Sequence, residues 1–167
     1  EAARPSSSNS NPMNYSAAAA PNLPGDLASN FVPGPPAVNR PAYGVIERVD
    51  CEFDFILGWA LDPDDPKKPI FVHVYDNGPA GSAEGKLVGG YLADMPRKDK
   101  GWHGFRLDIS KDPDLRKAFK DGKAHTVFIH AIDIQGWPNQ LLYDRENYVA
   151  WNGWEMPGKT LVCLPEE

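Results

Sequence analysis

From Tyr43 onward, apolar residues recur at every second position in short runs, and turn residues punctuate them. The runs are Gly44 to Asp50, Phe53 to Leu61, Ile70 to Asp76, Lys86 to Ala93, Trp102 to Ile109, His125 to Ile134, Gln140 to Tyr143, Tyr148 to Trp151 and Thr160 to Leu164. Side chains on a strand alternate between faces, so Ile70, Val72 and Val74 turn to a core while Phe71, His73 and Tyr75 turn outward. Val127, Ile129 and Ala131 alternate in the same way with Phe128, His130 and Ile132. Turns are marked by Asp76-Asn77-Gly78-Pro79, Asp121-Gly122-Lys123 and Gln135-Gly136-Trp137-Pro138. The pattern predicts an all-β fold, an Ig-like or jelly-roll-type β-sandwich over residues 43–167.

One stretch departs from period two. Ser110 or Asp112 caps a helix, Pro113 suits its first turn, Gly122 lies beyond its end, and Leu115 and Phe119 are spaced i, i+4. This predicts one short helix across an edge of the sandwich.

Residues 1–42 read differently. They hold 8 of the 17 prolines, the run Ala17 to Ala20 and none of the tryptophans, so the segment cannot offset its own ordering entropy. A long extended N-terminal tail is expected. Its apolar residues Leu23, Leu27, Phe31 and Val32 are candidate anchors in the groove or sheet edge of a neighbouring copy, and Pro33 to Pro36 favour an extended connector. Asn14-Tyr15-Ser16 is the one N-glycosylation sequon, with Asn14 the acceptor.

Charge narrows the partners. The formal net charge is -6, and the tail's Glu1, Arg4, Asp26 and Arg40 cancel, so the excess belongs to the body. No basic surface suited to nucleic acid is implied. The longest apolar run, Phe53 to Leu61, is strand-sized and contains Asp54, so no membrane span is expected. Glu1-Ala2-Ala3 reads as the terminus left by a removed signal peptide, which places the protein outside the cell or on its surface. In that compartment Cys51 and Cys163, near the two ends of the body, are expected to pair.

A family resemblance is carried by Gly44-Val-Ile-Glu-Arg-Val, Ile56-Leu-Gly58-Trp59-Ala60-Leu-Asp62, Pro69-Ile-x-Val72-x-Val74-Tyr75-x-Asn77-Gly78, Ala93-Asp94-x-x-Arg97-x-Asp99, Gly101-x-His103-Gly104-Phe105, Asp121-Gly122-x-x-His125-x-Val127 and Ala131-Ile132-Asp133. The series resembles small β-sandwich modules of secreted or surface bacterial proteins, often found beside carbohydrate-active domains, with Gly-Trp-Ala-x-Asp as their hallmark. The resemblance implies an accessory, non-catalytic module. Read physically, Trp59 between Gly58 and Ala60 is a ring packed where small neighbours leave room, and Asp94, Arg97 and Asp99 form an ion-paired loop.

Catalytic patterns do not emerge. Asp62, Asp64 and Asp65 read as a solvated acidic turn rather than a hydrolytic pair, and they lack EF-hand spacing. His73, His103, His125 and His130 lack zinc-hydrolase spacing, with His73 and His130 expected as a surface pair. No catalytic residue, metal or cofactor is assigned. Trp137, Trp102, Trp151 and Trp154 are candidates for stacking on sugar rings. The expected function is a secreted structural protein, a self-assembling extracellular filament subunit joined head to tail through its N-terminal tail, with a carbohydrate-binding accessory module as the alternative.

Overall fold

The computed structural model describes residues 38–136, 140–144, 147–151 and 153–166. The tail anchors Leu23, Leu27, Phe31 and Val32, the acceptor Asn14 and the candidate Trp137 lie outside the described residues. The body is a compact unit from Arg40 to Glu167. Its elements are β1 (Tyr43–Asp50), β2 (Phe55–Leu61), β3 (Ile70–Asp76), β4 (Lys86–Ala93), β5 (Met95–Arg97), β6 (Gly101–Asp108), α1 (Pro113–Phe119), β7 (Ala124–Ala131), β8 (Gln140–Leu141), β9 (Tyr143–Asp144), β10 (Tyr148–Trp151), β11 (Trp154–Pro157) and β12 (Lys159–Val162). The fold is all-β with a single short helix, as the periodicity predicts.

Two sheets pack as a sandwich. The first runs β5-β6-β2-β1-β9, antiparallel except where β9 lies parallel to β1. The second runs β12-β7-β3-β4, with β8 also paired to β7. Both sheets feed one core: Ile46 and Val49 from β1, Ile56 from β2, Phe105 from β6, Val72 and Val74 from β3, and Ile129 from β7 are buried together. Each such side chain contributes about 1.5 to 3 kcal/mol of burial before ordering costs.

The predicted Gln140 to Tyr143 strand divides at Leu142, which is fully buried and donates its N–H to the Ile129 carbonyl at 2.8 Å. On either side of it β8 joins one sheet and β9 the other, so the chain changes sheets there. Phe53 is not in a strand. Asp50 Oδ1 accepts the N–H groups of Glu52 and Phe53 at 2.7 and 2.9 Å, turning the chain before β2.

The helix begins where its cap dictates. Asp112 accepts from the N–H groups of Asp114 and Leu115, and Leu115 and Phe119 are fully buried. Ser110 instead donates to Asp54 at 2.6 Å, and Lys120 at the other end pairs with both oxygens of Asp54 at 2.9 and 3.0 Å. Cys51 and Cys163 form a disulfide, with Cα atoms 5.2 Å apart and 112 residues between them. It joins the turn after β1 to the segment after β12, a link between the two sheets. Closing a loop of that length stabilises by about 4 to 5 kcal/mol in the chain-entropy model.

Two outward readings are corrected. Phe128 and His130 on β7 are buried instead of outward-facing. The segment at Gly158 lies against the Phe128 ring, where an added Cβ would come within 3.2 Å. Ala80 donates its N–H to His130 Nε2 at 3.0 Å, and Tyr75 packs edge-on against the imidazole. His73 and His130 are indeed partners in register, but as a half-buried and a buried ring rather than a surface pair.

His125 is the best-defined polar group of the fold. Its Nδ1 lies 2.8 Å from Asp76 and its Nε2 2.8 Å from Asp121, and Phe119 packs edge-on against it. Two carboxylates both accept, so only the imidazolium, with two N–H groups, satisfies both. Burial works against that charge, but the hydrogen bonds and charges of Asp121 and Asp76 outweigh it and raise the pKa above 6.5. A raised pKa gives stability that is complete below the unfolded value and is lost as pH rises through the folded one. His125→Gln should therefore cost about 2 kcal/mol near pH 6, and calorimetry should find the gap to wild type narrowing towards about pH 9.

Candidate functional site

The outer face of the first sheet gathers the polar and aromatic side chains that the core does not use. On β1, Ile46 and Val49 are both buried although three residues apart, because the register against β2 slips between Ile46 and Arg48. A bulge of this kind inserts one residue and re-aims its neighbours. It places Glu47 and Arg48 together on the outer face instead of sending one into the core.

On β2, Ile56, Gly58 and Ala60 face the core, and a Cβ at Gly58 would strike the Phe105 ring at 2.6 Å. Phe55, Leu57 and Trp59 therefore face outward. The sequence reading of Trp59 is corrected on this point, since Gly58 and Ala60 leave room on the opposite face. The small residue beside Trp59 is its cross-strand partner Gly104 on β6.

Glycine at position 104 makes space for Arg97. The Arg97 stem lies over it, and an added Cβ would sit 3.0 Å from Cγ and 3.1 Å from Cδ. Arg97 donates to both oxygens of Glu47 at 2.7 and 2.9 Å, and to Asp99 at 3.0 and 3.1 Å. A guanidinium thus straps edge strand β5 to β1 across two intervening strands. The hydrogen bond to Glu47 leads in raising its pKa, with Asp99 next. The Arg97–Asp99 pair matches the sequence expectation. Asp94 is exposed, and Glu47 was the partner missed; the three-residue spacing of Ile46 and Val49 was the available clue to the bulge that presents it.

Beside the strap lies an aromatic pocket floor. Tyr43 packs edge-on to Trp59 with ring centres 5.6 Å apart, and Lys100 Nζ sits 4.4 Å above the Trp59 ring. Trp59 is 6% exposed while Tyr43 is 48% exposed, so a lysine and a tyrosine cover this ring rather than the core. Further along the face Phe55 lies between Arg106 and Arg48, at 4.2 and 5.6 Å, and the Arg48 guanidinium also approaches the exposed Phe53 at 5.6 Å. Arg48 is held by Asp50 at 2.6 and 2.9 Å.

The ring candidates named from sequence fall elsewhere or at the margin. Trp102 is 63% exposed on β6, opposite Pro96 of β5. Trp151 and Trp154 are register partners closing the β10–β11 hairpin.

The acidic turn is corrected as well. Asp62 and Asp64 are buried rather than solvated. Asp62 accepts the N–H groups of Asp64 and Ile134 at 2.9 and 3.0 Å, and Asp64 accepts from the Arg40 N–H and Nε at 2.6 and 2.8 Å. Burial, foremost, raises the pKa of Asp62. His103 places Nε2 2.6 Å from the Pro66 carbonyl, which ties β6 to the same loop. These groups support structure, and among the described residues no three His, Cys, Asp or Glu side chains converge as metal ligands.

No family model matches this chain, and no characterised protein or solved structure matches it.

The strap makes a measurable statement. A half-buried bidentate pair exceeds an ordinary surface ion pair, so Arg97→Ala and Glu47→Ala should each destabilise the body and show a coupling energy of about 1 kcal/mol in a double-mutant cycle. Arg97→Lys should recover little of it, because an ammonium lacks the guanidinium fork. Additive single costs in urea titrations would refute the strap.

Proposed function

We propose that the body is a non-catalytic glycan-binding module of an exported protein, and that it binds through the outer face of the β5-β6-β2-β1-β9 sheet. The observation carrying this reading is the Trp59 ring set beside the bidentate Arg97–Glu47 pair on an outer sheet face. Sugar recognition asks for those two parts. An aromatic ring stacks on the apolar face of a pyranose, and paired planar polar groups hydrogen-bond adjacent hydroxyls. The disulfide, the resemblance to accessory modules beside carbohydrate-active domains and the small, rigid sandwich agree with this role. Binding isotherms on a panel of soluble oligosaccharides should return at least one ligand, and Tyr43→Ala should weaken it about tenfold. Failure of the whole panel would remove the reading.

A second reading keeps the filament. Among the described residues β4 has no strand on its far side, and its eight residues offer a pairing edge for the Leu27 to Val32 segment of a neighbouring copy. Head-to-tail donation of this kind does not close and builds a fibre. Removing residues 1–37, which spares the Arg40–Asp64 pair, should leave a folded monomer and abolish assembly in light scattering. A full-length chain that stays monomeric at high concentration would end this reading.

A further inference from the structure

We infer that the Trp59 subsite is selective for a glycan bearing a free ammonium, an amino sugar, and that Lys100 is the built-in occupant which that ammonium displaces. This rests on the glycan-binding reading and names its ligand class.

The first observation is where Lys100 sits. It lies on the short turn between β5 and β6 and places its ammonium 4.4 Å from the centre of the Trp59 ring. That ring is outside the core cluster yet only 6% exposed. A pyranose cannot stack on Trp59 while the lysine is there, so binding requires the turn side chain to leave. What replaces it best is a group that restores the lost cation–π contact.

The second observation is the charge around the slot. With Lys100 moved aside, the charged neighbours are Glu47 on β1, Arg97 on β5 and Asp99 on the turn, two negative and one positive. Glu47 and Asp99 each share Arg97, so the local balance is one negative charge. The body as a whole carries the chain's net -6, which draws polycations towards it and repels polyanions. Local and global fields therefore agree on a cationic ligand. A neutral sugar satisfies the ring but leaves the charge balance unmet; an acidic one opposes both fields.

The test uses the full chain and isothermal titration with three oligomers of equal length: glucosamine, its fully N-acetylated form and glucose. The glucosamine oligomer should bind about tenfold tighter than the other two. Lys100→Ala, a substitution on an exposed turn that leaves the core untouched, should tighten it a further three- to tenfold by removing the competitor. Tyr43→Ala should weaken it. Equal binding of glucosamine and N-acetylglucosamine oligomers with no effect of Lys100→Ala overturns this inference and leaves the glycan reading standing. Binding of an oligolysine as tight as that of the glucosamine oligomer overturns the assignment to a sugar. Silence of all three oligomers while other glycans of a wider panel bind overturns the inference, and silence of that wider panel removes the glycan reading itself.

Discussion

Buried carboxylates set the frame on which the sheets hang. Asp62, Asp64 and Asp133 sit where β1 begins and where β2 and β7 end, and each is at most 6% exposed. A carboxylate taken out of water is costly unless donors surround it. Here backbone N–H groups do so: Asp133 accepts from Ala42 and Gln135, Asp62 from Asp64 and Ile134, and Asp64 from Arg40. Three segments far apart in sequence are thereby held at one end of the sandwich. The entry of β1 is fixed relative to β2 and to β7, and the register of both sheets follows.

The other end is held by different chemistry. The disulfide joins the turn after β1 to the end of β12, and Gly122 donates its N–H to the Cys163 carbonyl at 2.9 Å. His125, on the strand paired with β12, draws Asp76 and Asp121 together close by. One end is therefore pinned by carboxylates and backbone amides, the other by a covalent bond and an imidazolium. With both ends fixed, the strands between them hold their outer faces steady, which is what a preorganised binding surface requires.

The outer face owes its composition to irregularity. A strict period of two would have paired Glu47 with the outer face and Arg48 with the core. The bulge spares the core a charge and gives the face two polar groups, while Gly104 leaves the gap through which Arg97 crosses. Bulges commonly mark sites where a strand must present side chains that the pleat alone would not. Trp59, Tyr43 and Lys100 then meet on a surface that needs none of them for its core.

The sequence by itself determined what period and composition control. Alternation fixed Ile70, Val72 and Val74 as core, the Asp112 and Pro113 start fixed the helix, and the two cysteines at the ends of the body fixed the bridge. These are local patterns, or a pair with no rival partner. Tertiary structure decided the rest. Phe128 and His130 read as outward because nothing in their neighbourhood announces the distant Gly158 and Ala80 that cover them. Asp62 and Asp64 read as solvated because the backbone donors that bury them include Arg40 and Ile134, far away in the chain. Glu47 found Arg97 fifty residues on, and Trp59 acquired its lysine from a turn two strands away. Polar burial and site assembly depend on partners brought by the fold, and periodicity carries no record of which partner arrives.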